Sequence, residues 1–356
     1  MTRPGPAHCH EESASAEGGP LDLRNVDASE ELAIKRHKVQ LALEARGITA
    51  EIPLPCGSPC RHGARARVDL LLDAAGRFLV HRQGTHEAEP APLEDMARPE
   101  IAAVGRRVEA CLANMGGTGL RVGRLALRGD GTRVVVVVEP AHLSGSAEAL
   151  RAALGPTLGP RDALCLGPHA LQGDPTLHLE VAGLSLHVGP QSFFQVNLEV
   201  NAALVAAVVE VVAAWRPARV LDLFAGAGNL SFPIAAHGVP VEAVESAAPS
   251  ASDARANARR LGLPVQVKRE DAYRLEAGSR FFDVAVLDPP RKGAGAALVA
   301  VCTTRPRGIV LVSCHPLSFA RDLQHALARG YRIAGVRLFD MFPLTSHVES
   351  VAFLER

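Results

Sequence analysis

The sequence predicts an α/β chain: a doubly wound, largely parallel sheet with an antiparallel last strand, preceded by a smaller α+β unit. Three observations carry this expectation. From about Gln191 onward, short apolar runs alternate with helical stretches. The runs are apolar throughout rather than alternating, as in strands covered on both faces. The last two runs follow one another across 340–346 with no helix between them, so the final strand should turn back antiparallel. At 356 residues and 47% hydrophobic the chain exceeds one average domain and has ample core material.

Taken in order, residues 1–28 are polar and rich in Gly, Pro, Ser and His, and are expected to be a disordered tail with no apolar signal segment. Helical spacing of Leu32, Val39, Leu41 and Leu43 predicts a helix over 30–46. A Pro-rich loop over 53–59 leads to a basic run, Arg61, Arg65 and Arg67. Runs 68–72 and 78–82 form a hairpin around Asp73-Ala-Ala-Gly76, and 122–127 and 133–139 a second around Gly129-Asp-Gly131. Helices are expected over 99–115 and 147–154, and strands over 163–166 and 177–188. These assignments place a central α+β domain at 29–188 and a second domain at 189–356. In the latter, Asn197 caps a long apolar helix reaching Trp215. Strands follow at 219–224, 241–245, 265–268, 283–287, 309–313, 332–339 and 348–354.

Composition narrows the function. Lys+Arg and Asp+Glu both total 38 and aromatics are 4%, which argues against a broadly basic or base-stacking nucleic-acid binder, though not against a local patch. The seven cysteines are odd in number and irregularly spaced, as in a reducing, cytoplasmic compartment. The longest apolar stretch, 202–215, carries Glu210 and is too short to span a bilayer, so no membrane association is expected.

The strongest motif is Val220-Leu-Asp-Leu-Phe-Ala-Gly-Ala-Gly-Asn-Leu230, a strand ending in a turn built on Gly226 and Gly228. Glycines there let backbone approach a ligand. The third glycine of a pyrophosphate cradle is missing, and Glu245 ends the next strand where it can take both ribose hydroxyls of an adenosine. The combination favours S-adenosylmethionine (SAM) over NAD. Leu287-Asp-Pro-Pro-Arg-Lys-Gly293 puts a rigid loop at the carboxyl edge of the fourth strand, and Arg291 stands where a nitrogen methylase would need an aromatic residue. Cys314 ends the fifth strand before Pro316 and a helix, whose N-terminus is expected to stabilise a thiolate. An antiparallel last strand brings Glu349 to the same edge, next to Cys314.

Gln191-Ser-Phe-Phe-Gln-Val-Asn197, Asp222-Leu-Phe-Ala-Gly-Ala-Gly-Asn229, Asp288-Pro-Pro-Arg291, Ser313-Cys-His-Pro316, Ala320-Arg-Asp-Leu323 and His347-Val-Glu349 occur in the order of the RNA uracil-5-methyltransferase family, which the chain resembles closely over 186–356. The resemblance implies a Rossmann-like class I methyltransferase fold and 5-methyluridine formation in tRNA or rRNA. It further implies SAM contacts from Gln195, Phe224, Gly226, Asn229, Glu245 and Asp288, with Cys314 as nucleophile and Glu349 as general base. The stretch 58–90 is similar to the family's central domain, and Arg61, Arg65, Arg67 and Arg82 would supply a local RNA patch, with Arg291 and Lys292 adding phosphate contacts.

Three features depart from the family pattern. No RNA-gripping TRAM domain is expected before residue 30. The cysteine spacing that holds an Fe–S cluster is missing, so no cluster and no metal are expected, although His8, Cys9 and His10 are capable of adventitious binding. His315 replaces the Asn usual after the nucleophile. Alternatives are a cytosine-5 RNA methyltransferase, disfavoured because Pro290 stands where a second cysteine is needed, a non-catalytic RNA-binding paralogue, and a small-molecule methyltransferase. A monomer is expected.

Overall fold

The computed structural model describes residues 21–81, 87–115, 119–276 and 281–356. In the C-terminal half, seven strands lie in the order 265–268, 241–244, 220–223, 284–287, 308–313, 349–355, 332–339. The first five are parallel, and Glu349–Glu355 inserts antiparallel between the fifth strand and Arg332–Phe339. Alternate residues of each strand serve opposite cores. Val220, Val284, Val286, Val310 and Val312 pack with helix Leu198–Trp215, while Leu221, Leu223, Leu287, Ile309 and Leu311 pack with helices Gly295–Thr304 and Pro316–Leu327. Burial on both faces is why these strands read as unbroken apolar runs. Helix Leu198–Trp215 is long and apolar enough to cross a membrane, but Val200, Leu204, Val205, Val208 and Val212 are buried against the rest of the protein. Its N-cap is Asn197, as expected, with the side chain accepting from Val200 N.

The central unit is a seven-stranded sheet in the order 88–90, 78–81, 67–72, 124–129, 134–138, 163–166, 169–172, with helices Pro99–Ala113 and Ala147–Leu154 in its core. In the first hairpin, Asp73 accepts from Ala75 N and Arg77 N at 2.9 Å each, and Gly76 sits at φ +77°. A Cβ on Gly76 would lie 2.8 Å from the Leu112 carbonyl carbon, so no other residue fits there.

Packing moves the expected domain boundary at both ends. The first helix, Ala28–Glu44, joins the core of the C-terminal sheet through Val39, Ala42 and Leu43 rather than the central unit. Its fully buried Lys35 bonds Glu31 at 2.6 Å and Asp340, and Glu31 accepts from Leu344 N at 2.7 Å, which ties the helix to the loop leading into Glu349. The expected tail also ends earlier: Leu21 and Leu23 are buried, and Leu23 N donates to Leu344 O. The 177–188 run is a hairpin, Leu177–Val181 with Leu184–Val188, turning at Ala182 (φ 50°) and Gly183 (φ 78°). It shares a core with helix Leu198–Trp215, so the C-terminal unit begins near 176 and not at 189. The 122–127 run is split: Arg121–Val122 pairs with Leu143–Ser144, and Arg124–Gly129 joins the main sheet. Each miss has one physical cause, because an apolar run states that it is buried and not against what.

Candidate active site

The carboxyl ends of the parallel strands and the start of Glu349–Glu355 meet at one edge. Ser313 pairs with Ser350 across the ladder, so Cys314 and Glu349 are the next residues outward on adjacent strands. A cavity of about 780 Å³ opens there. Gln195, Phe224, Gly226, Glu245 and Asp288 line it together with Cys314 and Glu349, so seven of the expected site residues share one space.

Local chain geometry places each group. Strand Val220–Leu223 ends with Phe224 at φ 64°, a conformation L side chains rarely adopt, and Gly226 follows at φ 57°. A Cβ on Gly226 would meet nothing within 4 Å, leaving open backbone toward the cavity. Gly228 serves packing instead, since a Cβ there would lie 2.1 Å from the Phe232 ring. Glu245 accepts from Gly226 N at 2.9 Å and Ala247 N at 2.6 Å, which orients its carboxylate and leaves lone pairs for a ligand. Gln195 donates to Asp288 at 3.2 Å. Asn229 departs from expectation: it exchanges hydrogen bonds with Asn201 at 2.8 and 2.9 Å and lines a narrow annex rather than the main cavity.

The carboxylates of Glu245, Asp288 and Glu349 line the cavity together with the cations Arg291 and Lys292, and Asp222 is buried outside its lining; none of these four acids makes a salt bridge to a described residue. Burial raises Asp222 to about 7 and Asp288 to about 6. Burial and then the Asp288 charge raise Glu349 well above the ordinary range. Asp222 accepts from the Ser231 hydroxyl through one oxygen, while the other is buried with no partner. A ligand carrying an ammonium and a sulfonium supplies the partner these acids lack. SAM therefore fits, with Glu245 oriented for its ribose and Gly226 for close approach.

Cys314 stands before helix Pro316–Leu327 as expected, yet in the free protein burial first, then the Glu349 and Asp288 charges, push its thiol up to about 12, against smaller opposing effects of a backbone hydrogen bond and Arg291. His315 accounts for the missing Asn. It is the N-cap of helix Pro316–Leu327, its Nδ1 accepting from Ser318 N at 3.4 Å, as a capping Asn would. Burial and the Arg291, Lys38 and Arg321 charges lower its pKa, so the ring is neutral and Nε2 carries the proton. The Ala320-Arg-Asp-Leu323 motif also acquires a role. Asp322 accepts from Ala294 N and Arg321 donates to Lys292 O, fixing the loop after Pro290.

Sequence reading missed Phe193, Asp271, Tyr273 and Phe342, all of which line the cavity. Asp271 had a signal, an acid just beyond a strand end, where it caps a short turn by accepting from Tyr273 N. The ring of Tyr273 lies 5.1 Å from Phe224, with Lys292 Nζ 3.9 Å above it, a contact only the fold creates.

The expected arginine patch largely dissolves. Arg61 donates to Glu31 at 3.0 Å and to the Leu23 and Val26 carbonyls, so its guanidinium is spent inside the protein. Arg67 lies 4.6 Å over the half-exposed Phe193 ring, 3.7 Å from Asp69. Arg65 lies 5.9 Å over Phe342 with no acidic partner among the described residues, and burial lowers its pKa to about 10. Arg82 falls outside the described residues. Among the described residues no group of three His, Cys, Asp or Glu is arranged to hold a metal.

Binding of a cationic ligand here is pH-linked. The folded pKa values of Asp222 and Asp288 lie above their unfolded values, so the free protein loses stability as pH rises from the unfolded range near 3.8 to about 7. SAM binds best to the ionised forms, so its affinity and the thermal stabilisation it confers should rise from about pH 5.5 to about pH 8. Calorimetry across that range tests this, and tighter binding in acid would contradict it.

A sheet of this order, with an acid-lined, adenosine-sized cavity at its carboxyl edge, defines a class I SAM-dependent methyltransferase. A family model described as tRNA (uracil-5-)-methyltransferase matches residues 176–356, starting beside the hairpin that opens the C-terminal unit. The chain belongs to this family. The 23S rRNA (uracil(1939)-C(5))-methyltransferase RlmD of Pectobacterium atrosepticum is 32% identical over 315 residues, covering 84% of this chain and 69% of that protein. RlmD of Yersinia enterocolitica is 33% identical over 319 residues, covering 84% and 70%. The crystal structure of Pyrococcus abyssi tRNA (uracil-54, C5)-methyltransferase with S-adenosyl-L-homocysteine shares the fold, with a TM-score of 0.73 over 94% of this chain and 85% of that one, at 22% identity.

Proposed function

We propose that the protein methylates C5 of a uridine in 23S rRNA through a covalent adduct between Cys314 Sγ and C6 of the base. The observation that carries this reading is the pairing of Cys314 with Glu349 at adjacent ladder positions in the SAM-fitting cavity. Uracil C5 is a poor nucleophile, and addition of sulfur to C6 turns it into an enolate carbon. Cys314 loses its proton to water as the C–S bond forms, and Arg291 at the cavity wall offsets the new charge. SAM, when bound, supplies an electrophilic methyl on a sulfonium and places a positive charge among these carboxylates. Glu349 then takes the C5 proton, the electron pair restores the C5–C6 double bond, and Cys314 leaves as thiolate. The base must be unstacked to reach the cavity.

The rRNA assignment draws on the RlmD relatives, more than two thirds of whose length the chain covers. Mass spectrometry of nucleosides from a deletion strain, fractionated into tRNA and rRNA, tests it. Loss of 5-methyluridine from the large-subunit fraction is expected. Loss from tRNA alone would reassign the substrate, and 5-methylcytidine loss would reassign the base.

RNA contact shifts from the expected arginine patch to the cations that line the cavity, Arg291 and Lys292. Arg291→Ala should weaken RNA binding and lower the slope of log affinity against log salt by about 1. Arg61→Ala should leave that slope unchanged and instead cost about 1–3 kcal/mol of stability, because the buried Glu31 loses one of its partners and keeps Lys35 and Leu344 N. Filter binding across a salt series and thermal melts separate the two, and a changed slope in the Arg61 variant would restore the original patch.

A further inference from the structure

We propose that Arg128, a residue of the central sheet, is a positioning residue for the cofactor cavity, holding the segment from which Phe193 and Gln195 enter it. Arg128 lies on strand Arg124–Gly129 and is 4% exposed. Its guanidinium makes no salt bridge with a described residue. It donates to the carbonyls of Gly189, at 3.4 Å, Pro190 and Ser192, and covers the Phe194 ring at 5.0 Å. Asp253, on helix Ala248–Leu261, grips the same loop from the other side, accepting from Gly189 N at 2.7 Å and from the Ser192 hydroxyl at 2.5 Å. The loop's acceptors are thus bound by one domain and its donors by the other.

The chain leaves this clamp directly into the cavity. Phe193 lines it, Gln195 bonds Asp288, and Asn197 starts the next helix and donates to Ser58 at 2.9 Å. Gln195 is therefore set between two anchors, the Arg128–Asp253 clamp and the helix cap. Arg67 is the direct cross-strand partner of Arg128 and rests on Phe193, so two adjacent arginines of the central sheet back two consecutive phenylalanines of the other domain. Like charges at opposed strand positions are destabilising, and a buried cation with no acid bonded to it is more so, the nearby charges of Asp69 and Asp253 offsetting this only in part. Burial lowers Arg128 to about 10, with Arg67 adding to the effect. An apolar side chain would avoid that cost but leave the loop carbonyls without donors. Lysine, a point charge, does not reproduce a planar fork reaching several acceptors at once.

The proposal rests on SAM as the cofactor and is independent of the covalent route. Its test uses the full chain with Arg128→Lys, Arg128→Met and Arg128→Ala, and S-adenosylhomocysteine as the calorimetric probe. Weakening of that binding by roughly 10-fold is expected in the lysine and methionine variants, with the KM for SAM rising more than the KM for RNA. In Arg128→Ala, millimolar guanidinium should restore binding and equimolar ethylammonium should not. Native affinity in the lysine variant would overturn the proposal. Loss of fold in both the lysine and methionine variants would also overturn it, by assigning Arg128 to stability alone. If methylation proves to follow another route, the binding results still decide this point.

Discussion

Cys314→Ala is expected to abolish methyl transfer to RNA, by roughly 10⁴-fold or more, while S-adenosylhomocysteine still binds. The expectation follows from the division of labour in the cavity. Glu245, Asp288 and Gln195 face the cofactor's expected place, and Cys314 is the half-buried sulfur beside Glu349. The same structure predicts that this thiol is sluggish in the free protein. Raised to about 12 by burial and two carboxylates, it is ionised to only about one part in 10⁴ at about pH 8. Iodoacetamide should therefore label Cys314 far more slowly than an ordinary thiol, and at alkaline pH, where Glu349 is ionised, Glu349→Gln should speed labelling by removing a negative neighbour. Mass spectrometry of the labelled peptide measures both. Residual C5 methylation by Cys314→Ala, or fast labelling of the free native protein, would refute this account.

Glu349→Gln should lower turnover by about 10²–10⁴-fold and trap the protein on its RNA. Sulfur addition and methylation do not require the carboxylate, whereas removal of the C5 proton does. Without that step the C6–S bond cannot break. The trapped species is a thioether-linked protein–RNA adduct, seen as a slow band on a denaturing gel, and it should be missing when Cys314→Ala is added. Because burial and Asp288 hold Glu349 well above the ordinary carboxylate range, the native enzyme should gain turnover as pH rises and the base ionises. A Glu349→Gln enzyme that turns over at the native rate would remove Glu349 from the mechanism.

Much of this site was legible before any folding. Gly226 and Gly228, the acid ending the next strand, Asn197 as a cap and the Asp288-Pro-Pro loop each report a local backbone requirement, and local requirements are written in consecutive residues. The turn-back of the last strand was legible too, because the 340–346 segment has no room for a crossover helix.

Other features depended on who is packed against whom. The first helix, whose buried face carries Glu31 and Lys35 while Leu41 is exposed, and the 177–188 hairpin both belong to the C-terminal core. Arg61 reads as a free surface cation until Glu31 and two carbonyls are brought to it. Tyr273 and Phe342 carry no signal that distinguishes them from other core aromatics.

The sequence by itself determined the strands of the C-terminal sheet, the turn at Gly226 and Gly228, the order of the motifs and the chemistry each side chain carries, because these depend on neighbours along the chain. Only the tertiary structure decided the charge state of Cys314, the partner of Arg61 and the grip of Arg128. Those depend on burial and on charges a few ångströms away in space, and the residues supplying them lie far off in sequence.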